Sequence, residues 1–145
     1  MKLRLLLAAT MLCAFSVQAL AEDGRAYKEG PVTAVTYVKT KPGQFDAYVK
    51  WLDTTFKPEN EALIKAKIIT GYKVYANQAR DAHDADLILS VTYPNMAALD
   101  NLNERSDAIT EKFQGNLDKQ NQGFADRGSM REILGSKYIR ELILK

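Results

Sequence analysis

A single histidine occurs in the chain, inside the stretch RDAHDADLILSVTY at residues 80–93. His83 has Asp81, Asp84 and Asp86 around it. Imidazole and carboxylates together can hold a divalent cation, and an imidazole beside a carboxylate can relay protons. Both kinds of chemistry need side chains that converge, and the DAHDAD cluster lacks the spacing of a metal loop. Aspartates in such stretches more often bond their own backbone and shape turns. We therefore read the stretch as a solvated hairpin loop, with no metal site.

Tyrosines and arginines are the other residues with chemistry to offer. Tyr37, Tyr72, Tyr75 and Tyr93 fall in strand-like runs, and Tyr48 and Tyr138 lie nearby in the apolar pattern. A phenol combines a large apolar body with one polar handle, which suits packing of a sheet and equally suits a pocket for an aromatic ligand. Arg127, Arg131 and Arg140 with Glu132 and Glu141 form a charged group near the C-terminus. They can pair among themselves and fix the last strand, or Arg131 can take an acidic ligand. A ligand site, if present, is expected at Tyr37, Tyr72, Tyr93 and Arg131, with the first two foremost and His83 outside it. No glycine-rich phosphate loop, nucleophile elbow, paired histidines or cysteine motif occurs, which argues against nucleotide use, serine hydrolysis and zinc chemistry.

The N-terminus reads as a targeting signal. Lys2 and Arg4 precede a mostly apolar run from Leu5 to Val17, shorter than the roughly 20 residues that span a bilayer. Ala19-Leu20-Ala21 supplies the small-x-small pattern of a cleavage site, so residues 1–21 are expected to be removed and the protein to be secreted or periplasmic. Leu12 before Cys13 argues against lipidation, which needs a small residue there. Cleavage takes away the only cysteine and leaves 18 of the 20 basic residues against 18 acidic ones. A neutral chain of this kind is not expected to bind nucleic acid or an anionic membrane. Residues 22–145 suffice for one domain held by its core alone.

The elements that must position these side chains follow from the periodicity. Val32–Thr40 reads as a strand, broken by Lys41-Pro42-Gly43. Phe45, Tyr48, Val49, Leu52 and Phe56 recur at helical spacing, and Pro58 restarts a second helical piece, giving a kinked helix. Ile68–Ala76 and Leu87–Tyr93 read as further strands around a polar loop. Asn95 caps a helix from Met96 to about Gly115. A Gly- and Gln-rich connection then leads to a short helical turn around Met130–Leu134 and a last strand, Tyr138–Leu144.

The resulting order, β-α-β-β-α-β, predicts an α+β ferredoxin-like plait with a four-stranded antiparallel sheet and its helices on one face. The strands are nevertheless apolar on both faces. Leu87, Leu89, Val91 and Tyr93 oppose Ile88, and Leu142 and Leu144 oppose Ile139 and Ile143. A second copy packed sheet against sheet is the simplest cover for the face without helices, which predicts a homodimer.

The stretches TYVKTKPGQFDAYVKW, KPENEALIKAKIITGYKVY, DLILSVTYPNMAALDNL and LGSKYIRELIL together resemble the dimeric α/β-barrel superfamily. The likeness is to stand-alone secreted domains of the NIPSNAP, EthD and antibiotic-biosynthesis-monooxygenase kinds. The resemblance implies a dimeric barrel and admits cofactor-free oxygenases, haem-degrading and haem-ligating proteins and isomerases. Trp51 would be the tryptophan of a haem-degrading arrangement, but no partner Asn or Arg aligns with it, and His83 is not placed to ligate haem; no cofactor is expected. Three functions stay open: a small-molecule-binding domain, a cofactor-independent monooxygenase or isomerase acting on an aromatic-like substrate, and a structural or partner-binding dimer without catalysis.

Overall fold

The computed structural model describes residues 24–145, so the signal-peptide reading of residues 1–21 lies outside the described residues. Four strands, β1 (Tyr27–Thr40), β2 (Gly71–Ala76), β3 (Leu87–Tyr93) and β4 (Arg131–Leu144), form one antiparallel sheet in the order β2-β3-β1-β4. Between β1 and β2 run α1 (Phe45–Trp51) and α2 (Lys57–Lys65), joined by a π-helical segment, Leu52–Phe56. Between β3 and β4 come a 3₁₀ turn (Met96–Leu99), α3 (Leu102–Gln114) and α4 (Leu117–Arg127). This is the ferredoxin-like α+β plait that the element order predicts.

Register fixes which side chains meet the helices. Val32 stands opposite Tyr93, Ala34 opposite Val91 and Val38 opposite Leu87, so these residues share one face. Against it α1 and the π segment bring Tyr48 and Leu52, which close a cluster with Val38, Leu87 and Leu89. A second cluster of Ile68, Ile69, Tyr93 and Ala98 fills the other end, with Leu63, Leu102 and Ile109 packed on it. Thr33, Val35, Tyr37, Ile88, Ser90 and Thr92 point to the face without helices.

Pro58 stands in the first turn of α2, where the sequence places the restart of the helix. The turn before it widens into the π segment, and Asn60 Nδ2 donates to the Phe56 carbonyl at 2.7 Å. The helix expected from Met96 is interrupted at Asn101, which takes a left-handed conformation (φ 50°), although Asn95 does cap its first turn by accepting from Ala98 N at 3.0 Å. Gly115, at φ 79°, ends α3 where expected, and a side chain there would also strike Lys119.

The Gly- and Gln-rich connection is instead the helix α4. Asn116 caps it by accepting from Lys119 N at 3.1 Å, Asp118 sits in its first turn and Arg127 in its last. No residue of α4 is buried, so no apolar stripe announced it. The helical turn expected around Met130–Leu134 is likewise corrected: Arg131–Leu134 belong to β4, which pairs with β1 from Thr40 back to Tyr27. Ile68 and Ile69, expected within β2, precede it as buried turn residues.

Beyond Val32, β1 and β4 continue without a third strand. Tyr27, Lys28 and Glu29 pair with Leu144, Ile143 and Leu142 as a two-stranded ribbon. Leu142, Ile143 and Leu144 are all exposed there, as are Tyr138 and Ile139 further along β4. Among the described residues, the outer edge of β4 carries no neighbouring strand in the sheet.

Candidate functional site

The loop around His83 is built by backbone capping. Asp81 accepts from His83 N at 2.8 Å, and Asp84 accepts from Arg80 N at 3.2 Å and from Ala85 N at 2.9 Å. Asp86 turns back to the sheet, where its carboxylate takes Thr40 N at 2.8 Å, Thr40 Oγ1 at 2.7 Å and Lys39 Nζ at 2.9 Å. His83 is exposed, and no group of three or more candidate metal ligands occurs among the described residues. Partial burial pushes the Asp86 carboxyl up, but the Thr40 and Lys39 bonds outweigh it and leave the group below its ordinary 3.8.

A paired test follows from this loop. Asp86→Ala should destabilise the fold by about 2–3 kcal/mol, since it strips a carboxylate that answers three donors. His83→Ala should stay within about 0.5 kcal/mol of the parent. Because the Asp86 carboxyl is held low when folded, its contribution is present above the ordinary carboxylate range and fades as pH falls through the lowered value. Urea melts at neutral and acid pH read both effects; an Asp86→Ala protein as stable as the parent would contradict the anchoring role.

The four residues expected to line a ligand site are spread over the sheet. Tyr37 lies on the face without helices, with Lys137 Nζ 5.3 Å from its ring centroid. Tyr72 is on the helix face, edge-on to Phe56 at 5.7 Å, with its hydroxyl 3.4 Å from Glu61 Oε1. Burial, then the neighbouring Glu61 charge, raise its phenol above 10.0. Tyr93 is buried in the second cluster, which raises its phenol too. Arg131 is on the helix face at the opposite end. From Val32, opposite Tyr93, to Thr40, opposite Arg131, β1 runs for about 26 Å at roughly 3.3 Å per residue.

Around Arg131, however, the fold gathers a set of polar and aromatic side chains. Lys41 N donates to Met130 O at 2.8 Å and closes the end of the β1–β4 pair, so Arg131 enters the sheet with its side chain under the helices. Successive tight turns, with Gly128, Ser129 and Met130 donating to Ala125, Asp126 and Arg127, tie α4 to β4 and bring Arg127 over the same spot. From α1 come Tyr48 and Trp51, whose rings stack at 5.7 Å with 10° between their planes. The Arg127 guanidinium carbon sits 4.3 Å from the Trp51 centroid, and that of Arg131 sits 5.5 Å from Tyr48. Phe124 lies 5.0 Å from Arg131 and 6.0 Å from Arg127.

The inner part of this cluster is dry, while Trp51 and Arg127 are half-buried and Phe124 is exposed. Tyr48 is 2% exposed and Arg131 7%. Burial raises the Tyr48 phenol above 10.0, although the adjoining Arg131 and Arg127 charges pull it down. Burial, then repulsion from Arg131, lower Arg127 from the ordinary guanidinium value, while Tyr48 and Glu59 oppose the shift. Glu59, buried on α2, accepts from Gln114 Nε2 at 2.6 Å. Both Arg127 Nε and Arg131 Nε are buried without a hydrogen-bond partner. Such a set can fix a flat or acidic group through stacking and N–H donation.

The sequence groups Arg127 with Arg131 and sets Trp51 apart, but no local pattern in it joins them to Tyr48 and Glu59. The expected carboxylate partners in the C-terminal group also differ: Arg140 pairs with Glu29 at 2.7 Å, across the strands.

No family model matches the sequence, and no curated protein matches it. Solved structures do resemble the fold. HapK from Hahella chejuensis superposes with a TM-score of 0.51 at 13% identity, over 76% of this chain and 91% of its own. Protein SO0527 from Shewanella oneidensis gives 0.52 at 12% identity, over 81% and 98%. A dimeric ferredoxin-like protein from an uncultured marine organism gives 0.51 at 8% identity, over 81% and 90%. At these identities the likeness is one of fold, and it places the chain among ferredoxin-like α+β structures.

Proposed function

We propose that the protein is a secreted or periplasmic homodimer that binds a small molecule between helices and sheet, at the Tyr48–Trp51–Arg127–Arg131 cluster. The observation that carries this reading is the cluster itself. A purely structural core would fill this space with apolar side chains, because buried guanidinium groups cost desolvation free energy and contribute little to stability. Binding sites are where aromatic walls and a few convergent polar groups are kept together.

Dimerisation draws support from the face without helices and from the ribbon. Tyr75 and Ile139 are 47% and 49% exposed on that face, and a two-stranded ribbon is only marginally stable in water without something packed on it. A partner sheet would cover both, and one structural neighbour is itself described as dimeric. Export draws support from Lys2, Arg4, the apolar run from Leu5 to Val17 and Ala19-Leu20-Ala21.

Two measurements test the reading on the chain from Glu22 onward. Size-exclusion chromatography with light scattering should report a dimer, and Ile139→Asp should shift it to monomer while the fold persists. A thermal-shift panel of neutral and charged aromatic compounds should contain members that raise the melting temperature, because a ligand of the native state stabilises it. A panel in which nothing stabilises the protein would sink the binding function.

A further inference from the structure

The ligand class follows from the unbalanced chemistry of the cluster, given the small-molecule reading above. We propose that Arg127 and Arg131 together bind one carboxylate carried on a flat aromatic body. Arginine stays protonated at any physiological pH, so both guanidinium groups bring full positive charge into this site. Their faces are partly answered by the rings of Trp51, Tyr48 and Phe124. Ring faces do nothing for the in-plane N–H donors, and the Nε of each arginine is buried without an acceptor.

Opposite charge is scarce. No carboxylate lies within ion-pair distance of either arginine among the described residues, while Arg25, Lys39, Lys57, Arg80 and Arg140 all have such a partner. Glu59 supplies one buried negative charge, but its Oε2 is held by Gln114. Asp126 is exposed and bonded to Gln122. Arg131, buried, and Arg127, part-buried with its Nε enclosed, set two cations against one buried carboxylate and leave a single positive charge. One monoanion restores neutrality and supplies acceptors for both Nε–H groups, and a dianion would overshoot.

The remainder of the ligand is set by what surrounds those donors. Phe124 covers both guanidinium groups yet is 54% exposed, on a helix with no buried residue, so it forms the rim of the site. A ligand ring can take the place of the Phe124 ring, with the carboxylate inward between the arginines. The stacked Tyr48–Trp51 pair then forms the back wall. Small phosphate or sulfate ions would satisfy the charge but leave the aromatic walls without a partner.

The test uses the mature protein with 2-naphthoate, 2-naphthamide and inorganic phosphate as probes. Naphthoate is expected to raise the melting temperature in a saturable way, with naphthamide and phosphate each producing much smaller shifts. Arg131→Met keeps an apolar stem and removes the charge. It should weaken naphthoate at least tenfold, and the unliganded variant should melt no lower than the parent, because an uncompensated buried charge has been removed. A purely structural arginine would instead lower that melting temperature. Arg127→Met provides the same readout if Arg131→Met does not fold. Equal shifts from naphthamide and naphthoate would overturn the carboxylate assignment while leaving small-molecule binding intact. Equal shifts from phosphate and naphthoate would overturn the aromatic half. If neither naphthalene compound stabilises the parent but other members of the wider panel do, the ligand class is wrong; if nothing does, the function falls with it.

Discussion

Leu89→Asp is expected to leave no folded population at room temperature. Leu89 is 8% exposed on the central strand β3, within the cluster that joins Val38, Tyr48, Leu52 and Leu87. Loss of the leucine packing alone costs about 2–5 kcal/mol. The new carboxylate adds several kcal/mol more, ionised or forced to protonate, because the surrounding cluster offers it apolar side chains. The total reaches the whole stability of a typical domain, about 5–15 kcal/mol. Met96→Asp is the control, since Met96 is 47% exposed and a charge there meets water. Circular dichroism and a urea melt should show a cooperative transition for the control and none for Leu89→Asp. A Leu89→Asp protein within about 2 kcal/mol of its parent would mean that this face of β3 is not the core.

The reason this prediction can be made from sequence is also the reason most of the fold was legible. Strand β3 runs Leu87, Leu89, Val91 and Tyr93 along one face, and its observed bounds are those read from the alternation. Where a face is half buried, period two survives in the sequence. Asn95, Pro94 and Gly115 mark boundaries through their own backbone geometry, independently of what packs on them. Helix α4 had no such signal: no residue of it is buried, its partly covered face is Gln120, Gly123 and Arg127, and its sequence LDKQNQGFADR resembles a polar connection. Its caps are present at Asn116 and Gly128, but without an apolar stripe to bracket they do not mark a helix. The front half of β4 was lost for a different reason. REIL has the composition of a helical turn, and only its pairing with Val38, Lys39 and Thr40 makes it a strand. That pairing is non-local, and local propensity cannot express it.

The site was less legible than the fold. Tyrosines on strands are conspicuous in a sequence, but alternation alone does not say which face meets the helices, and Tyr37 and Tyr72 fall on opposite faces. Arg127 and Arg131 lie close in sequence, yet one ends a helix and the other begins a strand; their convergence depends on the Gly128–Met130 turns between them. Tyr48 looked like one more member of an apolar helical stripe, which it is. What distinguishes it is Arg131 arriving from the far end of the chain, and no local pattern in the sequence carries that.

Tyr48 therefore carries the second large effect, and two substitutions separate its packing from its hydroxyl. Tyr48→Ala removes a side chain that is 2% exposed and stacked on Trp51, and should cost about 3–5 kcal/mol, in the range of other large aromatic deletions. The same change takes away the ring under Arg131, so the guanidinium loses part of the little compensation it has. Tyr48→Phe keeps ring, stacking and cation–π contact, and should cost only about 1 kcal/mol. Its signature lies in alkali. Burial holds the folded Tyr48 phenol above 10.0 in spite of the two arginines, whereas the unfolded chain releases that proton near the ordinary value. Folding stability should therefore be full below about pH 10 and fall as pH rises through the raised value. Tyr93, buried in the other cluster with its phenol also raised, adds to the same limb. In Tyr48→Phe the alkaline decline should shrink to the part that Tyr93 and Tyr72, whose phenols are also raised, supply. Urea melts of the parent and Tyr48→Phe proteins between about pH 8 and pH 11 measure the difference. Parallel declines in the two would show that Tyr48 does not hold its proton in the folded state, and that water reaches the heart of the arginine cluster.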